Sequence, residues 1–267
     1  MTFKYDRENR FHRFGRTALI VATSLATLIY VWWILAILIN TPAIPTPDLV
    51  WAAFLDLFRN GDVQTGLSMW DHMYASLRRF MGGFLIAFVI AVPLGLLIGY
   101  SKFMDEFTKP IIEVLKPIAP IAWAPVLIFA TTLTLGPILV VFVGIFFPLL
   151  YNTIFGVKKI DQSLVDASKT LGATNGQIFY KVMLPCTVPY IMNGIRIGFG
   201  IGWMCIVAAE MIAPLGGGMG YFINLQAVLS NWPGVFVGLA IISMLGILTT
   251  GLADYAYKKI AKRVGME

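Results

Sequence analysis

The sequence predicts an all-α, polytopic membrane protein with about six transmembrane helices. Of its 267 residues 58% are hydrophobic and 13% charged, and the mean hydropathy of +0.79 lies far above that of a soluble domain. The apolar residues gather into runs near the ~20 residues that cross a hydrocarbon core of ~30 Å, separated by short connections. Lys and Arg concentrate in alternate connections, which sets a direction across the membrane.

A basic head precedes the first apolar run, 17–39. That run exceeds the ~7–15 residues of a signal-peptide core, and Asn40-Thr41-Pro42 is a poor cleavage site, so it reads as a retained helix. Thr46-Pro47 then forms an N-cap and first turn, with Asn60-Gly61 as the stop. Between them Val50, Phe54, Leu57 and Phe58 make an apolar stripe, expected on the outer membrane surface or packed on the bundle. The remaining spans are placed at 81–100, 117–134, 136–157, 189–212 and 234–255. The third carries Pro117, Pro120 and Pro125, which implies an irregular interior helix whose freed carbonyls are satisfied by neighbours. Between the last two spans, Gly216, Gly217, Gly218 and Gly220 accompany Tyr221, Phe222, Ile223 and Leu225, a segment able to dip back among the helices. The chain thus divides into a first segment and helix (1–40), an outer segment (41–80) and a core of five spans (81–267) holding the connection 158–188.

Placing both termini in the cytoplasm puts 1–16, 101–116, 158–188 and 256–267 inside, and these hold 16 of the 20 Lys and Arg. Arg78 and Arg79 fall outside and are expected to snorkel from the start of the second helix. The net charge of +6 therefore follows from topology and implies no nucleic-acid partner. Cys186 and Cys205 lie far apart along one apolar segment and read as free thiols; His12 and His72 lack companions for a metal site. A membrane-embedded enzyme would need acids, His or Cys clustered at one depth, and no such cluster is present. The absence of an internal repeat argues against a two-halved secondary transporter, and the absence of GxxxxGK[ST] against nucleotide binding by this chain.

The most specific pattern lies in the connection 158–188: Asp166-Ala167-Ser168, three residues, Gly172, nine residues, Val182, and then Leu184-Pro185. Asp161 can cap a helix whose one side carries Leu164, Val165, Ala167, Ser168 and Leu171, ended by a left-handed Gly172. Thr174 can cap a second short helix bearing Ile178, Phe179, Val182 and Met183, ended by Pro185. Two short helices at a fixed angle make a knob.

The spacing resembles the E-A-A-x-x-x-G-x9-I-x-L-P loop of the binding-protein-dependent ABC transporter permeases. Asp166 stands for Glu, Ser168 for the second Ala and Val182 for Ile, while every interval agrees. The resemblance implies the type I ABC importer permease fold, with Asp166, Ala167, Ser168, Leu171, Gly172, Leu184 and Pro185 in a coupling loop gripped by a cytoplasmic ATPase. It also implies two such ATPase subunits, which hold the ATP and magnesium, a second copy of this chain, an extracytoplasmic solute-binding protein and a place in the cytoplasmic (inner) membrane. This chain would need no cofactor and catalyse no reaction.

Ala75-Ser76-Leu77-Arg78-Arg79, the stretch Pro93 to Gly99, Pro117 to Pro125, Gly194-Ile195-Arg196-Ile197-Gly198 and Ala208-Ala209-Glu210-Met211 resemble the nitrate/sulfonate/bicarbonate (NitT/TauT-like) group. The implied cargo is a small anion such as nitrate, bicarbonate or an organosulfonate, with a neutral or cationic vitamin precursor as the alternative. From Ile128 to Pro137 the chain departs from the group, being threonine-rich and apolar where a polar turn is common. Intramembrane charges are functional candidates because lipid exposure costs ~2.5–3.5 kcal/mol on insertion scales. Arg196, about 10 Å into the fifth helix, either meets an anion, pairs with a carboxylate or carbonyl, or snorkels; Glu210, about 21 Å further along, is beyond its reach. Glu210 is read as an outer gate or a structural partner. Trp123, Ser76 and Asn152 complete the pathway candidates.

Overall fold

Among the described residues five helices are long and apolar enough to cross a membrane, and a sixth crossing arises if one sharply bent pair counts as a single span. The computed structural model describes residues 10–213 and 216–264, so Lys4, Arg7 and the last residues of the basic termini lie outside it. The order is α1 Arg10–Ile39, α2 Pro47–Asn60, α3 Met69–Tyr100, α4 Lys102–Leu115, a 3-10 turn Pro120–Trp123, α5 Ala124–Ala130 and α6 Leu135–Lys158. Then follow α7 Gln162–Thr170, α8 Asn175–Ile178, a π turn Phe179–Met183, α9 Leu184–Ile212, α10 Met219–Val228 and α11 Trp232–Val264.

The bundle is built on α6, which packs between α3 and α9. Lipid offers no hydrophobic drive for helices to associate, so close backbone approach through small residues carries the contact. A methyl group on Gly83 of α3 would lie 2.6 Å from the Ile138 carbonyl oxygen of α6, and one on Gly194 of α9 would lie 3.0 Å from Leu149 Cα. Above this seam Phe80, fully buried, stacks on Trp203 at 4.7 Å, and the Trp203 indole N–H donates to Thr249 on α11 at 2.9 Å.

Helix α2 matches its expected limits and buries Val50 and Leu57 against the bundle beside α11. Thr46 precedes it without a side-chain capping bond; Pro47 in the first turn is enough. Helix α10 dips inward as expected, burying Met219, Phe222 and Ile223. The first span touches the rest lightly, at α2 and where Trp32 stacks on Phe236 of α11 at 5.3 Å.

Two expected boundaries are corrected. The helix of the second crossing extends back to Met69, beyond the expected start at residue 81, because Ser68 forms a capping box: its hydroxyl accepts from Asp71 N while the Asp71 carboxylate accepts from Ser68 N at 3.0 Å. Arg78 and Arg79 therefore sit inside a helix. The third crossing is no single helix over 117–134. The chain bends by 81° between Lys102–Leu115 and Pro120–Ala130, since Pro117 and Pro120 bring no N–H to continue α4.

Candidate functional site

At one end of the bundle stands the predicted knob. Asp161 caps α7 by accepting from Ser163 N at 2.9 Å, and that bond holds its carboxyl below the usual carboxylate range. A group with a depressed folded pKa contributes stability above its unfolded value and loses it as pH falls through the folded one. The protection factor of the Ser163 amide, which removes the intrinsic pH dependence of exchange, is therefore expected to hold at neutral pH and to fall below about pH 4, in acid that protonates Asp161. A protection factor unchanged into strong acid would show that Asp161 does not cap α7.

Gly172, at φ +80°, ends α7, with Ala173 N bonding back to Ser168 O at 3.0 Å. Thr174 then opens α8 through a capping box with Gln177. Ile178 is buried and Tyr100 meets Phe179 edge-on, so α8 is anchored while α7 stands clear. The base is closed by Lys158 and Asp105 at 2.5 Å.

One expectation about this knob changes. Pro185 does not end the second helix: it lies in the first turn of α9, and the helical path runs on from Asn175 to Ile212. The Leu184 N–H bonds to Phe179 O, five residues back, and this wider π turn makes room for a proline ring that an α-helix would push against a carbonyl. The side of α7 that carries Leu164, Val165, Ala167, Ser168 and Leu171 is only partly covered by this chain. Val165 and Ser168 are half-buried, whereas Leu164, Ala167 and Leu171 face out, Leu171 at 88% exposure. Asp166, also exposed, is 3.7 Å from Lys169, a pairing too open to tie it down.

The opposite end holds a buried polar clasp. Glu210, fully buried, accepts from Arg79 Nη1 at 2.6 Å, from Ser76 Oγ at 2.7 Å and from Gly220 N at 3.0 Å. Ser76 in turn accepts from Met219 N at 2.7 Å, and Arg79 donates to Gly217 O at 2.9 Å. His72 Nδ1 lies 3.2 Å from Gly218 N, while its Nε2 faces Thr65 and Asp62. Gln226 donates to Asp62 from α10. Gly218 has φ +122°, and a methyl group there would lie 2.6 Å from the Glu210 carboxyl, so only glycine fits this turn. Arg79 thus pairs with Glu210 rather than snorkelling. Its partner was legible in principle: an arginine on the wrong side of the charge rule and a glutamate inside a span each call for the other.

The pathway candidates fall into separate places. Ser76 and Glu210 are engaged with each other inside one chain. Arg196 pairs with Asp254 of α11 at 3.3 Å in a cavity of about 310 Å³ that also takes in Asn193 and Tyr257. Asn152 accepts from Asn193 at 2.9 Å and lines a different cavity, of about 290 Å³, with Lys116 and Tyr151. Trp123 is half-buried in the 3-10 turn, which packs on α6 and α9. The sequence reading missed Asp254, Asn193 and Lys116.

A bundle of five or six crossings with an exposed two-helix knob and a fully bonded interior clasp is that of a multi-pass transport subunit of the permease class. The chain belongs to the family described as the binding-protein-dependent transport system inner membrane component, matched over residues 91–262, and is a permease component of the ABC importers. It is 35% identical over 234 residues to the nitrate import permease protein NrtB of Synechocystis sp., covering 85% of this chain and 83% of that one. It is 32% identical over 229 residues to the taurine transport system permease protein TauC of Escherichia coli, covering 84% and 82%. In fold it is similar to a chain of the MetNI methionine ABC transporter in an inward-facing conformation. The TM-score is 0.61 at 20% identity, with 72% of this chain and 97% of that one covered.

Proposed function

We propose that two copies of this chain form a pathway across the cytoplasmic membrane for a small anion, with both termini inside, and that α7 and α8 are gripped by two cytoplasmic ATPase subunits. Those subunits bind the ATP and magnesium; an extracytoplasmic binding protein delivers the cargo to the end that carries the clasp. The observation that supports the coupling role is the bare knob, where a leucine 88% exposed sits beside small Ala167 on a helix fixed by caps at both ends. Asp166, Ser168 and Gly172 shape that surface, and Leu184 and Pro185 join it to α9, so a displacement of the knob is transmitted to a crossing helix. Arg196, Asn152 and Trp123 are assigned to the border of the pathway. Ser76 and Glu210 are assigned to holding its outer end.

Nitrate, bicarbonate or an organosulfonate is the cargo this reading favours, supported by relatives named for nitrate and taurine. The test is ATP hydrolysis by the purified complex in lipid, with its ATPase and binding protein, in the presence of each anion in turn. One anion should stimulate hydrolysis. Stimulation by a neutral or cationic solute alone would keep the importer and discard the anion.

A further inference from the structure

Among the described residues, three cavities hold their cations beside carboxylates: Lys102, Lys158 and Lys169 with Asp105, Arg196 with Asp254, and Lys109 with Asp105 and Glu113. Another, of about 290 Å³, is different. It is lined by Lys116 and by Tyr151, Asn152, Phe147, Ile197 and others, and it contains no acidic residue. Among the described residues no carboxylate is paired with Lys116, whose ammonium sits 4.4 Å from the centroid of the Tyr151 ring.

We propose that this cavity is the anion station within the permease, and that Lys116, not Arg196, supplies the charge that the cargo meets. The proposal rests on the anion reading above and deepens it. Arg196 already has Asp254 against it, so a passing anion there meets a pair with little net charge. At Lys116, an exposed side chain, no carboxylate lies within ion-pair distance, and apolar side chains of α6 and α9 wall the cavity beside it, so an anion there meets a net positive charge.

The place also fits a passage point. Lys116 follows the last residue of α4, where the broken crossing turns through 81°, and faces α6 one to two turns above its end at Lys158. Asn152 adds a donor: Asn193 occupies its carbonyl oxygen, Pro148 O takes one amide hydrogen, and the second remains for a ligand. Lysine acts as a compact point charge without a fixed fork, and its stacking on a tyrosine ring holds it loosely, as release requires. The ligand class is a small monovalent oxyanion, either bare or, as a sulfonate, with a short methylene chain laid against Ile197 and Ile201.

Lys116→Met and Lys116→Arg test this in proteoliposomes of the full complex, measuring uptake of labelled nitrate, bicarbonate and ethanesulfonate at saturating ATP. Co-purification with the ATPase reports that each variant has folded and assembled. For the anion that the unaltered complex carries, Lys116→Met should cut uptake about tenfold or more, and Lys116→Arg should restore it to within about threefold. Equal uptake by Lys116→Met, or equal loss in both variants, would overturn the station while leaving the anion reading intact. Uptake of none of the three anions by the unaltered complex would remove both.

Discussion

Glu210→Ala is expected to destabilise the subunit by about 3–5 kcal/mol, because it leaves the largely buried Arg79 guanidinium without its counter-charge. The same change orphans the Ser76 hydroxyl as a donor and the Gly220 N–H. Loss of any one buried partner costs about 1–3 kcal/mol, so the effects converge on one turn. Glu210→Gln keeps the shape and one acceptor and should fall between. The check is thermal unfolding in detergent. Arg79→Met combined with Glu210→Met should recover part of the loss, since an apolar pair carries no isolated charge. Unfolding of Glu210→Ala at the unaltered temperature would mean that water reaches the site and that the clasp does not hold α3, α9 and α10 together.

Leu171→Asp is expected to leave the fold alone and to separate the permease from its ATPase. A side chain 88% exposed has little to lose within its own chain, and such surface changes usually stay within about 0.5 kcal/mol. An apolar anchor at the centre of an interface contributes about 2 kcal/mol or more, so binding should weaken about thirtyfold. Unfolding temperature and ATPase co-purification measure the two halves. Retained ATPase with Leu171→Asp would place the grip elsewhere on the knob or on another loop.

Much of this architecture was legible because its signals are local. Apolar length located the first, fourth and sixth crossings, Pro47 and Gly61 fixed α2, and Gly172 with the caps Asp161 and Thr174 fixed the turn of the knob. The signature spacing placed the knob and the family with it. What was missed depends on partners distant in sequence. The start of α3 at Met69 was hidden because His72, Ser76 and Arg79 look too polar for a crossing until Glu210, Gly217 and Gly218 are folded against them. Pro185 looked like a stop, and only the π turn before it shows how a helix absorbs a proline. Amphipathic spacing on α7 likewise gave a face without saying whether this chain or another covers it.

The clasp and the knob lie at opposite ends of α9, one held by Glu210 and the other joined through Leu184 and Pro185. That continuity gives the subunit a mechanical sense: a pull on α7 acts on the same helix whose far end is fixed to α3 and α10. The energy of ATP hydrolysis is expected to enter through the knob. The most direct test is uptake of labelled anion by proteoliposomes holding the permease, its ATPase and its binding protein, with and without ATP, for the unaltered chain and Leu171→Asp. Uptake that requires ATP and is lost in the variant is the predicted result. Equal uptake without ATP, driven by an ion gradient and indifferent to Leu171, would contradict it.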